Sequence, residues 1–329
     1  MPTQSPPDLE AILSDLHEAV HGHVAPRRRG LSPRRRFALA APLALAVAVA
    51  AALFVGLGVG NEQPAAAAQQ LEHAAKLVAG DPAPVIGPGQ YWYVKGLGAF
   101  ANEVGGTDGE RFSALQTSSH EIWIASDASG RIVRTDGPPK FFSAAARARW
   151  EAAGKPSFGN GSGIDELEPA GELSWGIEPL ARKVSGLPSN PADLARLIEQ
   201  HSDENKNSPA SEQFSLIEGI LRFAPLSGAQ TAAFYHVLAS LPGIEIVGEA
   251  KDGLGRSGTA FAVANDAGTR QELILDPRTG RLLGSRTTLT APDPVNPDTP
   301  VGTVIGSETI VATGVVGSTD ARPSAAATG

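Results

Sequence analysis

The sequence predicts an α+β protein: one N-terminal transmembrane helix, then an extracytoplasmic antiparallel sheet with helices on one side. Three observations predict it. Residues 37–60 (FALAAPLALAVAVAAALFVGLGVG) hold no charged or strongly polar side chain. Beyond them, two groups of short segments rich in β-branched and aromatic residues are punctuated by Gly, Pro, Asp and Ser. Between the groups lie three segments whose apolar residues recur at helical spacing. Strands grouped on either side of a run of helices, rather than alternating with them, point to α+β.

The apolar stretch organises the chain. At about 1.5 Å per helical residue it reaches roughly 36 Å, enough for a hydrocarbon core of about 30 Å with some tilt. Pro42 falls in its first turns, where a missing N–H costs least. Before it stand two basic triplets, Arg27, Arg28, Arg29 and Arg34, Arg35, Arg36; after it come Asn61, Glu62, Gln63 and Pro64, with no basic residue. The positive-inside rule therefore keeps the N-terminus in the cytoplasm and places everything after residue 60 outside the cell membrane. The alternative is a cleaved signal peptide, since Ala66, Ala67 and Ala68 resemble an A-x-A site. The long leader and long apolar run weigh for an uncleaved single-pass anchor.

Composition narrows the function. Net charge is −8, and residues 1–36 carry six Arg against Asp8, Glu10, Asp15 and Glu18, so the remainder is −10. An acidic exterior argues against nucleic acid as a partner. The arginines beside the anchor suit topology and the anionic inner leaflet. Cys is 0, which excludes disulfides, thiolate nucleophiles and cysteine-based metal sites together. The core alone must stabilise the outer domain.

Taken in order, residues 1–36 are a cytoplasmic tail with a short amphipathic helix. Leu9, Ile12, Leu13, Leu16 and Val20 form its apolar stripe, with Asp8 as cap after Pro6 and Pro7. Such a helix is marginal alone and needs a partner. Residues 37–60 are the transmembrane helix, and 61–86 an Ala-rich stalk helix ended by Gly80, Asp81 and Pro82. An extracytoplasmic α+β domain spans 87–290. Residues 90–100 (QYWYVKGLGAF) read as a strand, and 120–125 with 131–135 as a hairpin turning at Ser129 and Gly130. Residues 141–153 read as a short helix and 155–176 as a long loop. Residues 187–201 form a helix capped by Asn190 with Pro191 in its first turn, followed by helices over 212–223 and 227–241. Strands follow at 244–251, 259–265, 270–276 and 281–289. Residues 291–329 are read as a Pro-rich spacer, a last strand at 307–316 and a disordered end.

Several short motifs together resemble one family. These are the basic tail with one anchor; Gly89, Gln90, Tyr91, Trp92 and Tyr93; and Leu187, Pro188, Pro191 and Leu194. The last is a block from Leu241, Pro242 and Gly243 through Asp252, Gly255 and Arg256 to Asp276, Pro277, Thr279, Gly280 and Leu282. In these the chain resembles the actinobacterial single-pass membrane proteins encoded beside extracytoplasmic-function sigma factors. That family has no established enzyme activity, and the resemblance implies a role in envelope signalling. A more distant likeness, at the level of fold, is to the half-barrel lipoprotein carriers and the periplasmic anti-sigma regulators built on that fold.

Candidate sites follow from residue type. His17 and His21 lie one turn apart in the tail with His23 nearby, but the anti-sigma zinc motif needs two cysteines, so no metal is expected. The stripe Leu9, Ile12, Leu13, Leu16 and Val20 is the expected contact for a sigma factor. Beyond residue 60 no G-x-S-x-G or H-E-x-x-H occurs, and His120 with Glu121 opens a strand rather than a zincin helix. Asp165, Glu166 and Glu168 read as a solvated loop, and Asp252, Asp266 and Asp276 as turn residues. No catalytic residue and no cofactor are expected. Tyr91, Trp92, Tyr93 and Trp123 are sheet core or the lining of a cleft for a lipid or peptide. The expected function is an extracytoplasmic ligand- or protein-binding domain in envelope signalling with a sigma factor. The alternative is a membrane-anchored carrier of lipid or another hydrophobic ligand.

Overall fold

Consecutive antiparallel hairpins build the protein. The computed structural model describes residues 62–105, 110–127, 129–158, 163–169, 186–201, 208–293 and 299–324. The tail helix with Leu9, Ile12, Leu13, Leu16 and Val20, and the apolar stretch of 37–60, lie outside the described residues. Among the described residues, no helix is long and apolar enough to cross a membrane.

Strands β1 (Tyr91–Gly105), β2 (Arg111–Ile124), β3 (Gly130–Asp136) and β4 (Ile164–Glu168) form one antiparallel run. Strands β5 (Glu245–Lys251), β6 (Ser257–Ala264), β7 (Thr269–Leu275), β8 (Leu282–Leu289) and β9 (Val304–Val316) form another. β1 then pairs antiparallel with β9, giving one sheet in the order β4-β3-β2-β1-β9-β8-β7-β6-β5. The first and last strands thus meet at its centre.

Helix α1 (Glu62–Val78) precedes β1, and α2 (Ala144–Ala152) lies between β3 and β4. Helices α3 (Pro191–His201), α4 (Pro209–Phe223) and α5 (Gly228–Ser240) connect the two strand runs. Asn190 caps α3 as the sequence indicates, and Ser208 and Ser227 cap α4 and α5. Asn190 Oδ1 accepts from the backbone N–H of Ala192 (2.9 Å) and Asp193 (3.3 Å), and Ser227 with Gln230 makes a capping box on α5. The main core lies between these helices and one sheet face. Leu71, Ile122, Ile198, Phe214, Ile217, Ile220, Phe234, Leu238 and Leu273 are buried there.

The structure revises four boundaries. The segment expected as a stalk is α1, and its Ala67, Leu71, Ala75 and Val78 are buried against α5 and β5. The folded domain therefore includes α1; an Ala-rich face reads as featureless in sequence, yet its small side chains let α5 approach closely. Residues 155–176, expected as a loop, contain edge strand β4. Its acidic pattern hides an ion pair in which Arg131 donates to both oxygens of Asp165 at 2.8 and 2.9 Å. The β1–β2 hairpin also runs further than the sequence indicates, through Gly105 and Arg111. Finally, the strand expected beyond the domain is β9 at the centre of the sheet, and Ala321, Arg322 and Pro323 after it pack on the domain.

Two glycines show how tightly α1 is held. A Cβ on Gly228, at the start of α5, would lie 2.0 Å from the Val78 carbonyl oxygen. A Cβ on Gly280 would lie 2.6 Å from the Ala74 carbonyl oxygen, and Gly280 has a φ of +72°. Tyr235 OH donates to the Gly280 carbonyl at 2.7 Å and fastens the same junction. Gly228→Ala is expected to cost about 1–3 kcal/mol by overpacking, read as a lowered urea midpoint with little change in slope.

Candidate ligand-binding face

Strand alternation divides the four aromatics expected to share a cleft. Trp92 faces the helices, where its Nε1 donates to the Phe223 carbonyl at the end of α4, 2.9 Å away. Tyr91, Tyr93 and Trp123 point to the opposite, outer face. Neighbouring residues of one strand cannot line one surface, so a cleft of all four does not form. The outer three do gather. Tyr93 and Trp123 are cross-strand partners with ring centroids 5.1 Å apart in an edge-on arrangement, and Val316 of β9 completes the cluster.

Charged residues ring this cluster. Glu121 stands beside Lys95 (3.7 Å) and accepts a short hydrogen bond from Tyr93 OH. Burial, then the neighbouring Glu121 carboxylate, raises the Tyr93 phenol above its ordinary range. Arg131 of β3 lies 5.7 Å from the Trp123 ring centroid. The chain after β9 closes the face. Trp123 Nε1 donates to the Ala321 carbonyl at 2.8 Å, and Arg322 donates to both oxygens of Glu121 at 2.7 and 2.8 Å. The Arg322 guanidinium also sits 5.5 Å from the Trp123 ring centroid. Its bonds hold the Glu121 carboxyl down to about 2, against the opposing effect of burial. Trp123 is 0 % exposed under this segment, whereas Arg322 is 53 % exposed. An exposed ion pair and a cation–π contact are each worth on the order of 0.5–1 kcal/mol, so the cover is held lightly.

A second polar group lies on the helix side. His120 of β2 and Glu308 of β9 approach to 3.3 Å, with 5 % and 4 % of their side chains exposed. They meet over Gly96 of β1, where a Cβ would lie 2.4 Å from both Glu308 Oε1 and His120 Nε2. From α4, Glu218 accepts from Arg222 (3.1 Å) and from Ser285 of β8 (2.8 Å). Phe223 tilts against the His120 ring at 6.1 Å, and Arg134 of β3 adds positive potential. Burial first, then Arg222 and Arg134, lowers His120 to about 4. Burial raises Glu308 to about 7, with Arg222 opposing and Glu218 assisting. The imidazole is thus neutral at neutral pH, and the carboxyl is poised to titrate there. The pair is buried beside Phe223, at the end of α4.

Glu308, Arg222 and Arg322 escaped the reading of the sequence. One signal was present: Gly96 and Gly98 alternate inside a strand, which marks close approach by other groups. Among the described residues, no three His, Asp or Glu side chains gather to hold a metal. A surface depression of about 350 Å³ lies beside α2, lined by Pro139, Lys140, Phe141, Ser143, Ala144 and Arg147, away from both groups.

No family model and no curated protein matches the chain. Solved structures similar to it include the MucA/MucB complex of Pseudomonas aeruginosa (14 % identity, TM-score 0.25). The likeness there covers 79 % of this chain and 59 % of that one. MucB in complex with MucA(peri) is similar at 13 % identity and TM-score 0.24, over 79 % and 58 % of the two chains. MucB alone is similar at 12 % identity and TM-score 0.26, over 80 % and 62 %. The chain spans about three-fifths of the length of the chains it matches. Similarity at this level leaves the reading of the site to its side chains.

The pair His120 and Glu308 predicts a pH signature. Glu308 holds its proton to about 7 when folded, against an ordinary 4.5, so its contribution is complete below pH 4.5 and is lost as pH rises through 7. His120 runs oppositely: its contribution is complete above 6.5 and is lost as pH falls through 4. Urea midpoints are therefore expected to fall between pH 6 and 8 in the native sequence. In Glu308→Gln that fall flattens.

Proposed function

We propose that the chain is a single-pass membrane protein whose extracytoplasmic domain is a non-catalytic binding module, coupled to a cytoplasmic helix that engages a sigma factor. The observation that carries this reading is the packing of α1. In sequence the apolar stretch ends at Gly60 and α1 begins at Glu62, and α1 is built into the core against α5 and β5. A ligand that shifts the domain therefore acts on α1, which in sequence follows the apolar stretch directly. The arginine triplets set the N-terminus inside, and the stripe of Leu9, Ile12, Leu13, Leu16 and Val20 offers the inner contact. The burial of His120 beneath α4 favours binding over catalysis. The carrier reading needs an enclosed apolar cavity under the sheet, where the described residues place a cluster of buried apolar side chains. The outer aromatic face is the better ligand surface.

The test is affinity purification of the full chain from its native membrane, with mass spectrometry of the proteins recovered. A sigma factor is expected with the intact chain and absent after deletion of residues 1–24 or in Leu13→Asp. Recovery of no sigma factor, with target transcription unchanged in Leu13→Asp, would overturn the coupling.

A further inference from the structure

Residues beyond β9 reverse direction in a turn, with Ala321 N–H donating to the Ser318 carbonyl at 3.2 Å, and lie across the outer face. Three consecutive residues each meet a matching feature. The Ala321 carbonyl accepts from Trp123 Nε1, and its methyl packs on the cluster of Tyr93, Trp123 and Val316. Arg322 takes both oxygens of Glu121 and stacks toward Trp123. Pro323 rests on Gly314 of β9, where a Cβ would lie 3.1 Å from the proline Cγ. Upstream, Arg131 donates to the Thr319 carbonyl (3.3 Å) and to Asp320 (2.5 Å). One main-chain bond, a carboxylate for a guanidinium and a bare shelf for a proline are how folded surfaces read extended peptides. Tyr93 and Lys95 already orient Glu121 from within the sheet, so the acceptor stands ready before the arginine arrives.

The segment is not part of the sheet. β9 ends at Val316, and the segment adds no ladder to a neighbouring strand. Its anchors are exposed at the rim while the aromatics beneath are buried. A light cover over a buried aromatic floor suits a site filled in cis.

We propose that the face formed by Tyr93, Glu121, Trp123, Arg131 and Gly314 is a binding site for an extended protein segment carrying arginine followed by proline. The chain's own residues 320–323 occupy it until a partner displaces them. The proposal rests on the reading of the domain as a binding module, but not on the anchor or the sigma factor. Tethering makes the strap a strong local competitor, so the resting protein binds such a segment weakly.

The probe is a fluorescent peptide of residues 318–324 (STDARPS), titrated against the full chain and against the same chain ending at Gly317, with binding read by anisotropy. The shortened chain is expected to bind at least tenfold more tightly than the full chain. Changing the peptide's arginine to alanine, or making Glu121→Gln in the shortened chain, is expected to remove that gain. Arg322→Ala in the full-length chain loosens the strap without shortening the protein and is expected to raise peptide binding in the same direction. A cooperatively folded shortened chain that binds no better than the full chain would overturn the proposal. So would a shortened chain that unfolds together with no gain in Arg322→Ala, which would make the segment purely structural. None of these readouts involves residues 1–24, so failure here and failure of the sigma-factor coupling are distinguishable.

Discussion

Pairing of β1 with β9 is the constraint on which the rest of the architecture depends. Each half of the sheet is a run of local hairpins, but neither half has a partner for its inner strand until the ends of the chain meet. That closure spans over two hundred residues and gains its hydrogen bonds only after the loop entropy has been overcome. Once made, it abolishes two open edges and lays a continuous floor under the helices. It also brings Gly96, His120 and Glu308 together, since two of these belong to the first strands and one to the last.

The two sides of that floor have different chemistry for one reason. On the helix side His120 and Glu308 are buried away from water, so Glu308 is held toward its neutral form and His120 stays uncharged. Room for both depends on Gly96, because any Cβ there would collide with them. On the outer side the same strands present Tyr93, Glu121 and Trp123 to a segment that solvent can reach. There the carboxylate stays ionised because a guanidinium grips it, and the aromatic floor is dry only while it is covered.

The helix layer adds rigidity at one particular place. α1 meets α5 and the turn before β8 at glycines whose missing side chains allow backbone contact. This junction is short, buried and hydrogen-bonded through Tyr235.

From the sequence alone came the α+β class, the three helices between Asn190 and Leu241 with the Asn190 cap, and the hairpins from Ile244 to Leu289. Those depend on local period, caps and turns, which a short window contains. Tertiary structure alone decided that β9 is central, that IDELE is an edge strand and that α1 belongs to the core. In each case a weakly patterned segment takes its role from a distant partner: β1 for β9, Arg131 of β3 for β4, α5 for α1. The aromatics Tyr91, Trp92, Tyr93 and Trp123 were legible as important, and the period of two already implied their division between faces. Their covering by Ala321, Arg322 and Pro323, and the meeting of His120 with Glu308, were not legible. Those contacts join residues almost two hundred positions apart, and nothing in local sequence encodes such a distance until the sheet has closed.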